Sequence, residues 1–170
     1  GINLFHSFDQ FSIPTDGSVH FNNSIDVQNI INRITGSELS NINGLIQSNG
    51  NANLFLVNPN GFLFGPNARL DIGGSFLATT ADRLLFDNQL EFSAFDLQQL
   101  PLLAINAPIG LQIGQTSKAI KIEGPGHQLT QISDLFPVLN NASNSLGLEA
   151  ESGQSLAFIG NAIQLDGAVL

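Results

Sequence analysis

His6, His20 and His127 are the only imidazoles in the chain, and there is no cysteine. A nucleophile would therefore have to be a Ser or Thr activated by one of these histidines. The sequence offers that arrangement no support: it has no G-x-S-x-G elbow, and each histidine stands among turn or end-segment residues. Paired carboxylates, the machinery of glycosidases and lyases, need acids clustered on one face, often with a base or bound cation. Here the acids come singly, from Asp71 and Asp82 through Glu123 to Glu149 and Asp166. Asp71 and Asp166 adjoin glycine-containing bends, where Asp commonly satisfies backbone N–H groups. Only Asp82 is a candidate to meet a neighbour by stacking. No HExxH, EF-hand loop or glycine-aspartate calcium repeat occurs, so neither metal nor cofactor is expected. Asn22–Ser24 and Asn141–Ser143 match the glycosylation sequon, a short pattern that so Asn-rich a chain produces by chance.

What remains is Asn58, Pro59, Asn60 and Gly61, an N-P-N-G between the apolar bursts NLFLV and FLFG. The ring of Pro59 presets φ at about −65°. Asn60-Gly61 favours the left-handed conformations of tight turns. On composition this is a structural turn first.

The elements around it must be read from an unusual composition. Of 170 residues 42% are hydrophobic, but only 11% are charged, far below the usual quarter. The missing polarity is carried by amides, 19 Asn and 12 Gln. Amides can stack in ladders without the repulsion that stacked charges suffer, which suits a fold in which one position recurs strand above strand. A net charge of −9 with five scattered Lys+Arg argues against nucleic acid and anionic lipid as partners. Zero Cys excludes disulfides and fits a chain that threads a pore unfolded. The chain does not begin with Met, read as a processed or trimmed start. No apolar run approaches the ~20 residues of a membrane span, so no insertion into a bilayer is expected.

Helical periodicity is poor. The best candidate, IDVQNIINRIT at 25–35, is equally rich in β-branched residues, so a strand competes evenly. Elsewhere short strands end at Gly, Asn, Asp or Pro: GLIQS (44–48), NLFLV (53–57), FLFG (62–65), RLDIG (69–73), SFLATT (75–80), GLQIG (110–114), AIKIEG (119–124), HQLTQI (127–132), GLEA (147–150), SLAFIG (155–160) and AIQLDG (162–167). NLFLV recurs as SFLAT (75–79), and FLFG recurs at the same offset as LLFD (84–87). GLEA recurs as GAVL (167–170) at a slightly shorter one. A step of about 20 residues with several strands in each indicates a solenoid whose coils share a core. A β-sandwich with regular turns is the competing reading. The spacing predicts one domain over 1–170, with coils from about 26 onward. Interruptions near 86–106 and 133–147 read as an extra-helical hairpin or small sheet and as a loop. The Phe-rich segment 1–25 is assigned as an N-terminal cap over the solenoid's open end.

Several blocks together carry a family resemblance: NLFHSFDQFSIPTDG (3–17), FNNS (21–24), IINRITGSELSNINGLIQSNGNANLFLVNPNGFLFG (30–65), ARLDIGGSFLATTA (68–81) and SLAFIGNAIQLDGAVL (155–170). Along nearly its whole length the chain resembles the secretion domain of two-partner secretion exoproteins, the filamentous-haemagglutinin-like, haemagglutination-activity family. The resemblance implies an all-β, right-handed parallel β-helix with an N-terminal β cap and extra-helical antiparallel strands. It implies no catalysis, but a secretion signal that binds the periplasmic POTRA domains of a dedicated outer-membrane transporter and nucleates folding during export. Asn58, Pro59, Asn60 and Gly61 then fall on the family's NPNG-type recognition or folding motif. A monomeric domain is expected, secreted through periplasm and outer membrane to the surface of a Gram-negative-type bacterium. The alternatives from other classes are an extracellular adhesin or carbohydrate-binding β-helix module and, further off, a β-helix polysaccharide lyase or glycosidase.

Overall fold

A computed structural model describes residues 1–96, 106–124, 129–133, 136–139 and 147–168. His127, Asp134 and the Asn141–Ser143 sequon lie outside them. The described residues are all-β, with one 3-10 turn at Asp87–Gln89 and no α-helix.

Three stacks of parallel strands share one interior. The first holds β1 (Asn3–Phe8), β3 (Asn29–Ile34), β6 (Asn53–Val57), β9 (Phe76–Thr79) and β16 (Leu156–Ile159), in that order. The second holds β4 (Ser40–Ile42), β7 (Phe62–Phe64), β13 (Ile120–Glu123) and β17 (Ile163–Asp166), and Ile13 bridges to Ile42 below them. The third holds β2 (Ser18–Phe21), β5 (Leu45–Ser48) and β8 (Arg69–Asp71). Successive passes of the chain add rungs to these stacks, the architecture of a β-helix-like solenoid. The NLFLV–SFLAT offset is a true register, since Leu54 faces Phe76. The GLEA–GAVL offset is not one: residues 147–150 form no strand.

Alternation in the strands sets the core. Ile30 and Ile34, Leu54 and Leu56, Phe62 and Phe64, Ile46, and Phe76 and Ala78 all point inward and are at most 2% exposed. Of the Ile25–Thr35 stretch, Asn29–Ile34 settles as a strand, because β3 is flanked by strands on both sides and buried throughout. Its outward residues are covered too. Ile31 and Val57 pack with Leu84, Phe86 and Phe92 in a second core. That core lies beneath an antiparallel sheet of β10 (Arg83–Leu85), β11 (Glu91–Ser93) and β12 (Gly110–Gln112). LLFD therefore leaves the solenoid rhythm rather than continuing it. A hairpin of β14 (Leu129–Ser133) and β15 (Phe136–Leu139) interrupts the chain again, so the segment read as a loop contains a strand.

Arg33 ties the outer sheet to the stack. It is 2% exposed, and its Nε donates to Ser7 Oγ at 2.7 Å. Its Nη1 donates to the Ser93 carbonyl at 2.6 Å, and its guanidinium lies 4.4 Å from the centroid of the Phe92 ring. Burial lowers its pKa from the ordinary arginine value, and the charge of Asp96 pulls the other way.

Leu54→Ala should cost about 2–5 kcal/mol and Phe92→Ala about 3–5 kcal/mol in urea unfolding. Hydrogen exchange separates the two cores: Phe92→Ala should open residues 83–93 more than 30–34, and Leu54→Ala should loosen both.

Candidate functional site

The N-P-N-G corner joins β6 to β7 and is gripped by coils on both sides. Asn58 is 0% exposed. Its Nδ2 donates downward to Ser40 Oγ at 3.0 Å and to the Glu38 carbonyl at 3.1 Å. Its backbone N–H donates upward to the Thr79 carbonyl at 3.0 Å. Its Oδ1 accepts the Asn60 N–H at 2.9 Å, closing an Asx turn, while the Gly61 N–H bonds the Asn58 carbonyl at 3.0 Å. Every hydrogen-bonding group of this buried amide is thus used, as burial requires.

Pro59 is also buried, and its carbonyl accepts the Lys118 N–H at 2.8 Å. Asn60 is half-buried and donates to the Gly36 carbonyl at 2.8 Å. Gly61 alone of the four takes a left-handed φ, +101°. A Cβ there would also stand 2.7 Å from the Ala119 carbonyl oxygen, so both conformation and space require glycine. Asn60, expected to share the left-handed conformation, contributes through its side chain instead. The partners that sequence reasoning missed are Gly36, Glu38, Ser40, Thr79, Lys118 and Ala119. Of these, Ser40 and Thr79 stand at the recurring offset, beside Phe62 and Val57, and SFLAT already held Thr79.

The same device recurs at another corner as a ladder. Asn29 Nδ2 donates to Asn3 Oδ1 at 2.8 Å, Asn53 Nδ2 to Asn29 Oδ1 at 3.0 Å, and the Ser75 N–H to Asn53 Oδ1 at 2.9 Å. The catalytic candidates come to nothing comparable. His6 Nδ1 and His20 Nε2 meet the side-chain oxygens of Asn32 and Asn49, at 2.8 and 2.9 Å. Asp71 accepts from Gln47 at 2.7 Å, and Asp82 from Ser117 at 3.3 Å. Among the described residues no three His, Asp or Glu side chains converge.

Gly61→Ala should destabilise by about 1–3 kcal/mol from backbone strain, and Asn58→Ala by a similar amount through the buried donors and acceptors it strands. Asn60→Ala, at a half-exposed position, should cost less. Urea midpoints of the three variants check the order.

Comparison with known families gives a match to the TPS secretion domain over residues 1–170. No curated protein and no solved structure matches significantly. A match that runs the full length, over a solenoid of parallel strands, makes this chain a member of the TPS secretion domain family: the secretion domain of an exoprotein that Gram-negative bacteria export with a partner outer-membrane transporter.

Proposed function

We propose that this domain is the export signal read by the POTRA domains of its transporter, and that the reading precedes completion of the fold. One observation carries this: Asn58 is 0% exposed and clamped from both sides, so a folded domain hides the centre of its own N-P-N-G corner. The unfolded chain in the periplasm instead offers short apolar, amide-rich segments that can add to the edge of a POTRA sheet. Few charges and no disulfide suit the passage that follows.

Outside the cell the residues 1–170 complete their fold as one non-catalytic, monomeric unit, winding right-handed as parallel crossovers do. The first coil caps it. Phe8, Phe11 and Phe21 stack there with ring centroids 5.4 and 6.2 Å apart, and Phe11 and Phe21 are buried with no rung beneath them among the described residues. The opposite end is a template. Ile163 and Leu165 stand in register over the buried Ile120 and Ile122, yet are 47% and 59% exposed. A further coil would cover them, and each coil added outside biases transport outward.

Capture on immobilised POTRA domains tests the reading. Chain diluted from urea should be retained and prefolded chain should not; failure of both forms would overturn the proposal. In the full exoprotein, Asn60→Ala should lower secretion more than its small effect on melting accounts for. A secretion loss that only tracks melting would reduce the corner to a structural turn.

A further inference from the structure

Once β9 has covered β6, the growing stack exposes three upper edges, on β7, β8 and β9. They are closed differently. Among the described residues β8 gains no further rung, and β9 is closed by β16. β7 is closed by β13, and only this closure also seals the N-P-N-G corner. Lys118 N–H reaches the Pro59 carbonyl at 2.8 Å, Phe62 N–H donates to the Ala119 carbonyl at 3.3 Å, and Ala119 covers Gly61. Ile120, Lys121 and Ile122 then run alongside Phe62, Leu63 and Phe64.

Timing follows from the order of these strands. Ser40, beneath Phe62, comes from the coil just before it in the chain. The strand above Phe62 starts only at Ile120, beyond the whole antiparallel sheet. Loop closure across the longer interval is slower and costs more entropy. In the interval β7 has an unpaired backbone edge beside an N-P-N-G corner in which Thr79 already holds Asn58 but Pro59 and Gly61 are still uncovered, with Phe62 and Phe64 as apolar anchors. In the finished fold those two rings are 2% and 0% exposed.

We infer that β7 and the corner before it form the surface the transporter occupies, and that β13 is the strand that displaces it. This rests on the reading that the corner is recognised before folding is complete. The occupant is an extended strand of the POTRA sheet, lying parallel to β7. It supplies an N–H to the Pro59 carbonyl and a carbonyl to Phe62 N–H, and carries aliphatic side chains at two alternate positions, in the places of Ile120 and Ile122. Its residue opposite Gly61 approaches by backbone, as Ala119 does. Release needs no separate trigger: once residues 118–123 arrive they are tethered to the same chain, and their effective concentration exceeds that of an untethered competitor.

The cysteine-free chain allows a direct test. Leu63→Cys/Lys121→Cys places a pair at register partners across β7 and β13, and His20→Cys/Gln47→Cys places one across β2 and β5. Each full-length variant is oxidised while folded, unfolded in urea, and diluted onto immobilised POTRA domains. Reduced forms must melt like the unsubstituted chain. Oxidation of the 63–121 pair should lower capture at least tenfold, while oxidation of the 20–47 pair should leave it unchanged. Independently of any substitution, excess peptide SKAIKIEG, residues 117–124, should lower capture, whereas the same peptide with both isoleucines replaced by Asp should not. Equal capture of oxidised and reduced 63–121 chain would overturn the inference while leaving reading before folding intact. So would equal blockade by both crosslinks, which would mean that the first coils must also be open. If even the unsubstituted unfolded chain is not captured, the inference falls together with the reading it rests on.

Discussion

A buried amide at the corner of a coil has to find its partners in the coils below and above it, and this requirement keeps the stack in register. Sliding one parallel strand by a single residue would turn its apolar side chains out of the prism. It would also break bonds such as Asn29 to Asn3, Asn53 to Asn29 and Asn58 to Ser40. Apolar burial supplies the larger driving force but tolerates small displacements. The amides do not, because a stranded buried donor costs about 1–3 kcal/mol. Hydrophobic alternation thus decides which side faces in, and the asparagines decide which residue sits over which.

The same requirement explains the scarcity of charge. A position repeated every coil places like side chains about 4.8 Å apart, where like charges would repel and amides donate and accept in turn. Among the described residues Glu123 and Asp166 do stack on adjacent rungs, but at the surface; Arg33 is the buried exception. It occupies a single rung, faces outward, and is satisfied by Ser7 below and by the outer sheet beside it. That one cation joins two cores, so the antiparallel sheet is a packed part of the domain rather than a flap.

The strands were legible because their apolar residues alternate and their ends carry Gly, Asn or Asp; NLFLV, FLFG and AIKIEG fall where they were expected. Topology was legible only where consecutive coils stack directly, as Phe76 over Leu54 does. LLFD mimicked the same offset and yet pairs antiparallel, because an apolar burst does not encode which edge it joins. The helical alternative at 25–35 failed for a tertiary reason: a strand buried on both faces needs no polar alternation, so Ile31 and Arg33 blurred its period. For the corner, turn chemistry marked Asn58–Gly61, and its role in recognition was only implied by the family resemblance. Its partners were hidden because the registers are unequal: Ser40 reaches Phe62 from one coil back, whereas Ile120 reaches it from beyond an inserted sheet.

That last interval also bears on why a secretion domain would build its fold in this way. A compact helical bundle closes most of its contacts locally, so a signal within it would be buried soon after it emerged. A solenoid buries each rung only when the next arrives, and inserting an outer sheet between two rungs lengthens the wait at one chosen edge. The N-P-N-G corner sits at such an edge: Glu38 and Ser40 below and Thr79 above fix Asn58 early, whereas Lys118 and Ala119 cover Pro59 and Gly61 late. The early bonds give the corner its shape before the late ones remove it from view. On the proposed reading one turn serves recognition first and folding afterwards, and the order of the two follows from the order of the residues along the chain.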